Sequence, residues 1–198
     1  MKYIFVSLFV IGFFTDPFRI GRINHAKTEA RDAYTSGDYK TAIGKFHLLI
    51  DSMKIMEDEL QLNLAHSYFQ LNDTANAVIT YESLTGSKQS EVRSKAQQQL
   101  GILNYRKQKF EEALNNFKLA LKANPDNMDA RYNYELLKKK LDYPEMIMST
   151  IRSLVKQHKY KLAYDILQEA IQKDPEVDKR NPGYSQRLEN IVKIDSHE

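Results

Sequence analysis

Three stretches of the chain repeat one pattern of apolar and polar positions: AYTSGDYKTAIGKFHLLI, SYFQLNDTANAVITYESL and NYRKQKFEEALNNFKLAL. Each holds a short polar turn: Gly37-Asp38-Tyr39, Asn72-Asp73-Thr74 and Gln108-Lys109-Phe110. Past each turn stands an alanine (Ala42, Ala77, Ala113), and four residues further an aromatic (Phe46, Tyr81, Phe117). The alanines are 35 and 36 residues apart. At four-residue spacing the small and the large position share one helix face, so a close approach at the alanine is filled beside it by the ring. A second small position precedes each turn, at Ala30, Ala65 and Gly101, and marks a first helix. The pattern predicts paired helices that cannot bury their apolar faces alone and must stack on their neighbours. A fourth stretch, KQHKYKLAYDILQEAIQKDP, repeats the second-helix signature with Lys159-Tyr160, Ala163, Leu167, Ala170 and Pro175.

These residues resemble the tetratricopeptide repeat (TPR). The third copy matches that pattern at Leu100, Gly101, Phe110, Ala113, Phe117, Ala120 and Pro125. The second matches at Leu64, Ala65, Tyr68, Ala77 and Tyr81, and the first at Ala30, Gly37, Asp38, Tyr39, Ala42 and Phe46. The resemblance runs through residues 23–141 and resumes over 144–177. It implies an all-α, TPR-type helical-hairpin solenoid with three consecutive repeats and a capping helix, then a further TPR-like hairpin and a terminal helix. A narrower resemblance rests on the apolar leader, the three repeats and DARYNYELLKKKL. It is to the exported TPR proteins of Bacteroidetes aerotolerance operons, thought to work beside membrane proteins with von Willebrand factor-type A domains.

The segment after Pro125 departs from the repeat. In the family register, with Met128 first, the small eighth position is Glu135 and the large eleventh is Lys138. Tyr134, Leu137 and Leu141 still make one apolar stripe, which predicts a helix ending near Leu141 that caps the array and turns Glu135 and Lys138-Lys139-Lys140 outward. Pro144 then suits the first turn of a new helix. Residues 144–177 read as a separate hairpin, and YSQRLENIVKI as a last helix with Tyr184, Leu188 and Ile191 on one face. The expected division is 1–22 (signal peptide or apolar anchor), 23–141 (three repeats with their cap) and 142–198 (hairpin with terminal helix), in one continuous, phase-broken array.

Composition narrows the function. Among 198 residues there are only 7 Gly and 5 Pro, which favours helices over turn-rich sheets. A net charge of +3, from 29 basic and 26 acidic residues, argues against a dedicated nucleic-acid binder. With no cysteine, disulfides, thiol nucleophiles and zinc–thiolate sites are excluded. The opening MKYIFVSLFVIGFF places one lysine before an apolar run over 3–14, the length of a signal-peptide core and short of the roughly 20 residues of a membrane span. No small-residue cleavage site follows. A cleaved leader is the expectation, with a retained anchor or an ordinary buried segment as alternatives. The chain is therefore expected to be exported, periplasmic or membrane-anchored facing the periplasm.

No catalytic constellation is visible. The five histidines (His25, His47, His66, His158, His197) show no metal-ligand spacing, and no Walker loop, dinucleotide fingerprint or nucleophile elbow occurs. Neither a cofactor nor a metal is implied. Glu57-Asp58-Glu59 and Glu111-Glu112 are expected at helix starts, where negative charge is favourable. The reading is a non-enzyme that binds a protein or peptide partner in the concave groove lined by first helices. Some TPR proteins clamp a peptide's terminal carboxylate there with five polar residues. By register Lys27, Asn63 and Lys95 match that set, whereas Arg31 replaces an asparagine and Gln99 an arginine. A groove of other specificity, or none, stays open. His66, Phe69, Ile102 and Tyr105 fall on the same face. The different-class alternative is an assembly module acting through outer helix faces or self-association.

Overall fold

The computed structural model describes residues 18–195, so the apolar run over 3–14 and its reading as a leader lie outside the described residues. Ten α-helices and no strand occur among them. They divide into two compact units that meet between Asn127 and Met128.

The N-terminal unit holds α1 (Arg19–Thr35), α2 (Tyr39–His47), α3 (Asp58–Gln70), α4 (Thr74–Leu84), α5 (Ser90–Arg106) and α6 (Phe110–Ala123). Helix α2 runs on into a π-helical turn, Leu48–Ser52, where the Met53 N–H donates to the Leu48 carbonyl at 3.0 Å. Helices α1 and α2, α3 and α4, and α5 and α6 pack as antiparallel pairs, and α2 and α4 each pack on the first helix of the next pair. The small and aromatic positions form the core as the spacing predicts: Ala30, Ala42, Phe46, Ala65, Ala77, Tyr81, Ala113 and Phe117 are all buried. Helix α3 begins at Asp58 and α6 at Phe110, which places both acidic runs at helix starts.

The turns are built alike. Gly37, Asn72, Gln108 and His158 precede α2, α4, α6 and α8 (Tyr160–Lys173), and all four have positive φ, 81° for the glycine and 59° for the others. Asp38 and Asp73 then cap their helices by accepting the N–H of Thr41 at 3.1 Å and of Asn76 at 3.2 Å. Lys109 and Lys159 stand at the same place and make no side-chain cap. A left-handed conformation costs a β-carbon residue about 1–2 kcal/mol, and glycine avoids most of it. Gln108→Gly is therefore expected to raise stability by about 1 kcal/mol, read as a higher urea midpoint at unchanged slope. A lower midpoint would show that the Gln108 side chain contributes more than its backbone costs.

Between α5 and α6 polar side chains supplement the apolar seam. Asn104 donates to Asn116 at 2.8 Å, and Asn116 to Gln97 at 2.7 Å. Deeper, the buried Ser94 hydroxyl donates to the Ala120 carbonyl, and the Asn127 amide donates to both Ser94 and Gln98, each at 2.9 Å. Nothing in the repeat pattern signals this network.

The C-terminal unit departs from the sequence reading. Helix α7 (Met128–Lys156) is one helix of 29 residues with Pro144 inside it. The predicted cap ending near Leu141 and the hairpin helix predicted to start at Pro144 are thus a single element. Pro144 cannot donate to the Lys140 carbonyl, a local cost of about 3 kcal/mol in a helix interior. The helix persists because Leu137, Pro144, Met148 and Ile151 are all buried and follow one another at helical spacing. Glu135 and Lys138 are exposed, as the register predicts. The boundary between units accordingly falls before α7, not at 141–142, and α1 begins at Arg19, inside the segment assigned above to the leader.

Helices α7 and α8 pair, and α10 (Tyr184–Asp195) packs on α8 through the buried Leu188. Ile191, expected on that buried face, is 39% exposed. A short helix unforeseen from sequence, α9 (Glu176–Arg180), buries Val177 among Met148, Ile151, Ala163, Leu167 and Ala170. No helix among the described residues is long and apolar enough to cross a membrane.

Candidate functional site

Helical spacing sorts the first helices of the N-terminal unit into three side-chain stripes. On α1, Lys27, Arg31 and Tyr34 lie four and three residues apart. Helix α3 aligns Asn63, His66 and Gln70, with Phe69 beside them. On α5, Lys95, Gln99, Ile102 and Arg106 follow the same rule, flanked by Tyr105. Second helices α2 and α4 pack behind them, which leaves these faces to form one surface.

Two contacts join the stripes. The Tyr34 hydroxyl lies 2.5 Å from His66 Nδ1, linking α1 to α3. The Arg106 guanidinium sits 4.5 Å over the Phe69 ring, linking α5 to α3. Between them the rings of Tyr34, Tyr39 and Phe69 surround His66 with centroids 5.7 to 6.4 Å away. The surface therefore has an aromatic centre. Tyr34, Gln70 and Arg106 were not singled out from sequence, and Tyr39 was read only as a turn and repeat position, although Tyr34 and Arg106 simply extend the predicted stripes by one turn.

The cations are less available than the register implies. Lys27 Nζ is 2.6 Å from the Glu57 carboxylate, and Lys95 Nζ is 2.7 Å from that of Glu91. The hydrogen bond from Lys95 holds the Glu91 carboxyl below its ordinary range. Arg31 is exposed at the surface. Asn63 is half-buried, and its carbonyl accepts the Ser67 hydroxyl at 2.8 Å. Gln99 sits deeper, with its carbonyl oxygen buried and lacking a hydrogen-bond partner. Ile102 is half-buried, and Tyr105, 43% exposed, leans on Phe110 at the start of α6. The structure thus gathers His66 and Phe69 into one cluster, while Lys27 and Lys95 each hold a neighbouring carboxylate.

His66 carries the site's titration. Burial pushes its pKa below the ordinary histidine value. The Gln70 amide donates to Nε2 at 2.6 Å, so the neutral ring keeps its proton on Nδ1 and offers it to Tyr34. A depressed folded pKa means that the unfolded chain takes up this proton first as pH falls. Stability should therefore be full above about pH 6.5 and decline as pH drops through the folded value. His66→Gln should flatten that part of a stability–pH profile measured by urea unfolding. An equal slope in the variant would assign the decline to another group. Among the described residues no three His, Asp or Glu side chains converge as a metal site.

Models of the tetratricopeptide repeat match residues 58–90, which include α3 and α4, and residues 99–134, which include α6. No curated protein matches the sequence. Solved structures resemble it in fold. The first TPR of Spaghetti (RPAP3), bound to the HSP90 peptide SRMEEVD, aligns at a TM-score of 0.52 and 23% identity, covering 61% of this chain and 94% of that one. The Sgt2 TPR domain from Aspergillus fumigatus gives 0.52 and 19%, covering 61% and 80%. The TPR2AB domain of yeast Sti1, in complex with pHSP90, gives 0.55 and 13%, covering 87% and 71%. At these identities the likeness is one of fold.

Proposed function

We propose, from the premise that this chain is a tetratricopeptide-repeat protein, that it is a non-catalytic interaction scaffold which seats a segment of a protein partner on the face of α1, α3 and α5. The supporting observation is the aromatic centre at His66 and Phe69 on α3, around which Tyr34 of α1, Tyr39 of α2 and Arg106 of α5 gather. The Spaghetti domain, alike in fold, holds an acidic peptide. Here Lys27 and Lys95 already share their charge with Glu57 and Glu91 in solvent-exposed pairs, so a ligand carboxylate meets partly neutralised lysines. The groove consequently favours a segment anchored by an apolar or aromatic side chain at His66–Phe69, with charge recognition at the rim.

The proposed setting is the cell envelope. The apolar run over 3–14 supports export or anchoring, and the narrower operon resemblance supports membrane proteins with von Willebrand factor-type A domains as partners. Mass spectrometry of the mature N-terminus tests the first point; an intact, unanchored N-terminus on cytoplasmic protein would refute it.

Site-specific photocrosslinking tests the groove. A photoreactive residue at Ile102 or Tyr105 should trap the partner, whereas one at Ile79, 65% exposed on second helix α4, should not. Equal adducts from both faces would defeat the assignment.

A further inference from the structure

Helix α7 turns a second, unpartnered face outward. Met128, Tyr132 and Leu136 follow one another at four-residue spacing and are 67%, 66% and 56% exposed. Single exposed apolar residues are ordinary, but an aligned stripe leading into a concavity is not. Past Leu136, α7 and the end of α8 border a shallow, open hollow of about 450 Å³, lined by Leu136, Lys139, Lys140, Tyr143, Lys173 and Asp174. All of these belong to the C-terminal unit.

The hollow's chemistry is cationic over an apolar floor. Three lysines face one aspartate, Asp174, which accepts the Glu176 N–H at 3.0 Å where α9 begins and keeps its charge, so the lining is cationic on balance. Lys173 Nζ lies 5.2 Å from the centre of the Tyr143 ring, which holds the ammonium beside the apolar floor. In the N-terminal unit Lys27, Lys45 and Lys95 each hold a carboxylate. Neither Lys139 nor Lys173 is in an ion pair among the described residues. Charge complementarity therefore calls for an anionic ligand, and Leu136 with Tyr143 for a large apolar group on it.

We propose that this hollow is a second docking site, taking an acidic protein segment that carries one large apolar side chain. Leu136 and Tyr143 receive the side chain, Lys139 and Lys173 receive flanking carboxylates, and Met128 and Tyr132 extend the apolar track. The site lies outside the α1–α3–α5 groove and does not depend on it.

Fluorescence anisotropy on the full chain tests this with a short glutamate-rich peptide bearing a single phenylalanine. Two controls are needed, one with glutamine for every glutamate and one with serine for the phenylalanine. Wild-type protein should bind the acidic phenylalanine peptide, more weakly as salt rises, and neither control. In an Arg31→Glu/Tyr105→Ser background, which removes the other groove's own affinity for such a segment, adding Lys139→Glu/Lys173→Glu should weaken binding about tenfold or more, as should adding Leu136→Ser. These side chains are exposed or at a rim, and unchanged thermal melts would confirm folding. No binding by wild type, equal binding of either control, or equal binding with and without Lys139→Glu/Lys173→Glu in that background would overturn the proposal. So would self-association lost in Leu136→Ser without peptide binding, which would make a second copy the occupant. Binding of phosphatidylserine vesicles in place of the peptide would overturn it in favour of a membrane.

Discussion

Tyr81→Phe should stabilise this protein, while Tyr81→Ala should cost about 3–5 kcal/mol. The two results have opposite signs because ring and hydroxyl do different things. The ring is fully buried between the α3–α4 pair and α5, packed with Ala65, Ala77, Leu84 and Ala96. Truncation would remove that burial and leave a cavity in the middle of the N-terminal unit. The hydroxyl is buried with no hydrogen-bond partner, and burial pushes the phenol's pKa well above its ordinary value. An unsatisfied buried hydroxyl costs about 1–3 kcal/mol, so deleting it should raise stability by about 1 kcal/mol. Urea unfolding of both variants, read at the midpoint with the slope held, checks this. A loss of stability in Tyr81→Phe would mean that the hydroxyl is hydrogen-bonded in solution.

Gly101→Ala should destabilise the α5–α6 pair even though alanine is the better helix former. A β-carbon at this position would lie 2.5 Å from Phe117 Cε1 and 2.7 Å from Cδ1, closer than such contacts ever come. Phe117 is itself buried, so its ring has little room to retreat. Overpacking of this kind costs about 1–3 kcal/mol, against about 1 kcal/mol gained from helix propensity. Gly44 supplies the contrast. It lies within α2 with nothing inside 4 Å of an added β-carbon, so Gly44→Ala should gain up to about 1 kcal/mol. Shrinking the ring with Phe117→Leu should recover part of the Gly101→Ala loss in a double-mutant cycle. Additive losses would show that the glycine is not set by the ring.

Much of the fold was legible because small residues at helix contacts leave a strict spacing. Ala42 with Phe46, Ala77 with Tyr81 and Ala163 with Leu167 all lie where that spacing puts them. The turns were legible in position, but conformation was written only into Gly37 and Asn72. Gln108 and His158 adopt the same left-handed backbone to close the preceding helix, where the Lys109 and Lys159 N–H groups donate back to the Asn104 and Leu154 carbonyls. Pro144 misled for another reason. Proline is a local signal for a helix start, whereas the stripe Leu137, Pro144, Met148 and Ile151 is a packing signal that runs straight through it, and packing won.

The site was legible as a surface and less so as chemistry. Lys27, Asn63 and Lys95 were named from the register of the family resemblance, with His66 and Phe69 on the same face, and helical spacing lines each up with its neighbours on α1, α3 and α5. Glu91 as the partner of Lys95 was readable four residues away. Glu57 as the partner of Lys27, thirty residues on, was not, and neither was the bond between Tyr34 and His66. Long-range polar pairs leave no periodic trace. Among the specificities left open for the groove, those pairs favour an aromatic centre with charged margins over a carboxylate clamp.

The central claim is that a partner segment occupies the α1–α3–α5 face, and quantitative partner recovery by affinity purification tests it most directly. Wild-type protein, Arg31→Glu/Tyr105→Ser and the second-helix control Ile79→Ser would be compared at equal loading after their folding is verified. Recovery about tenfold lower with Arg31→Glu/Tyr105→Ser, and unchanged with Ile79→Ser, is the predicted result. Equal recovery from all three proteins would contradict it.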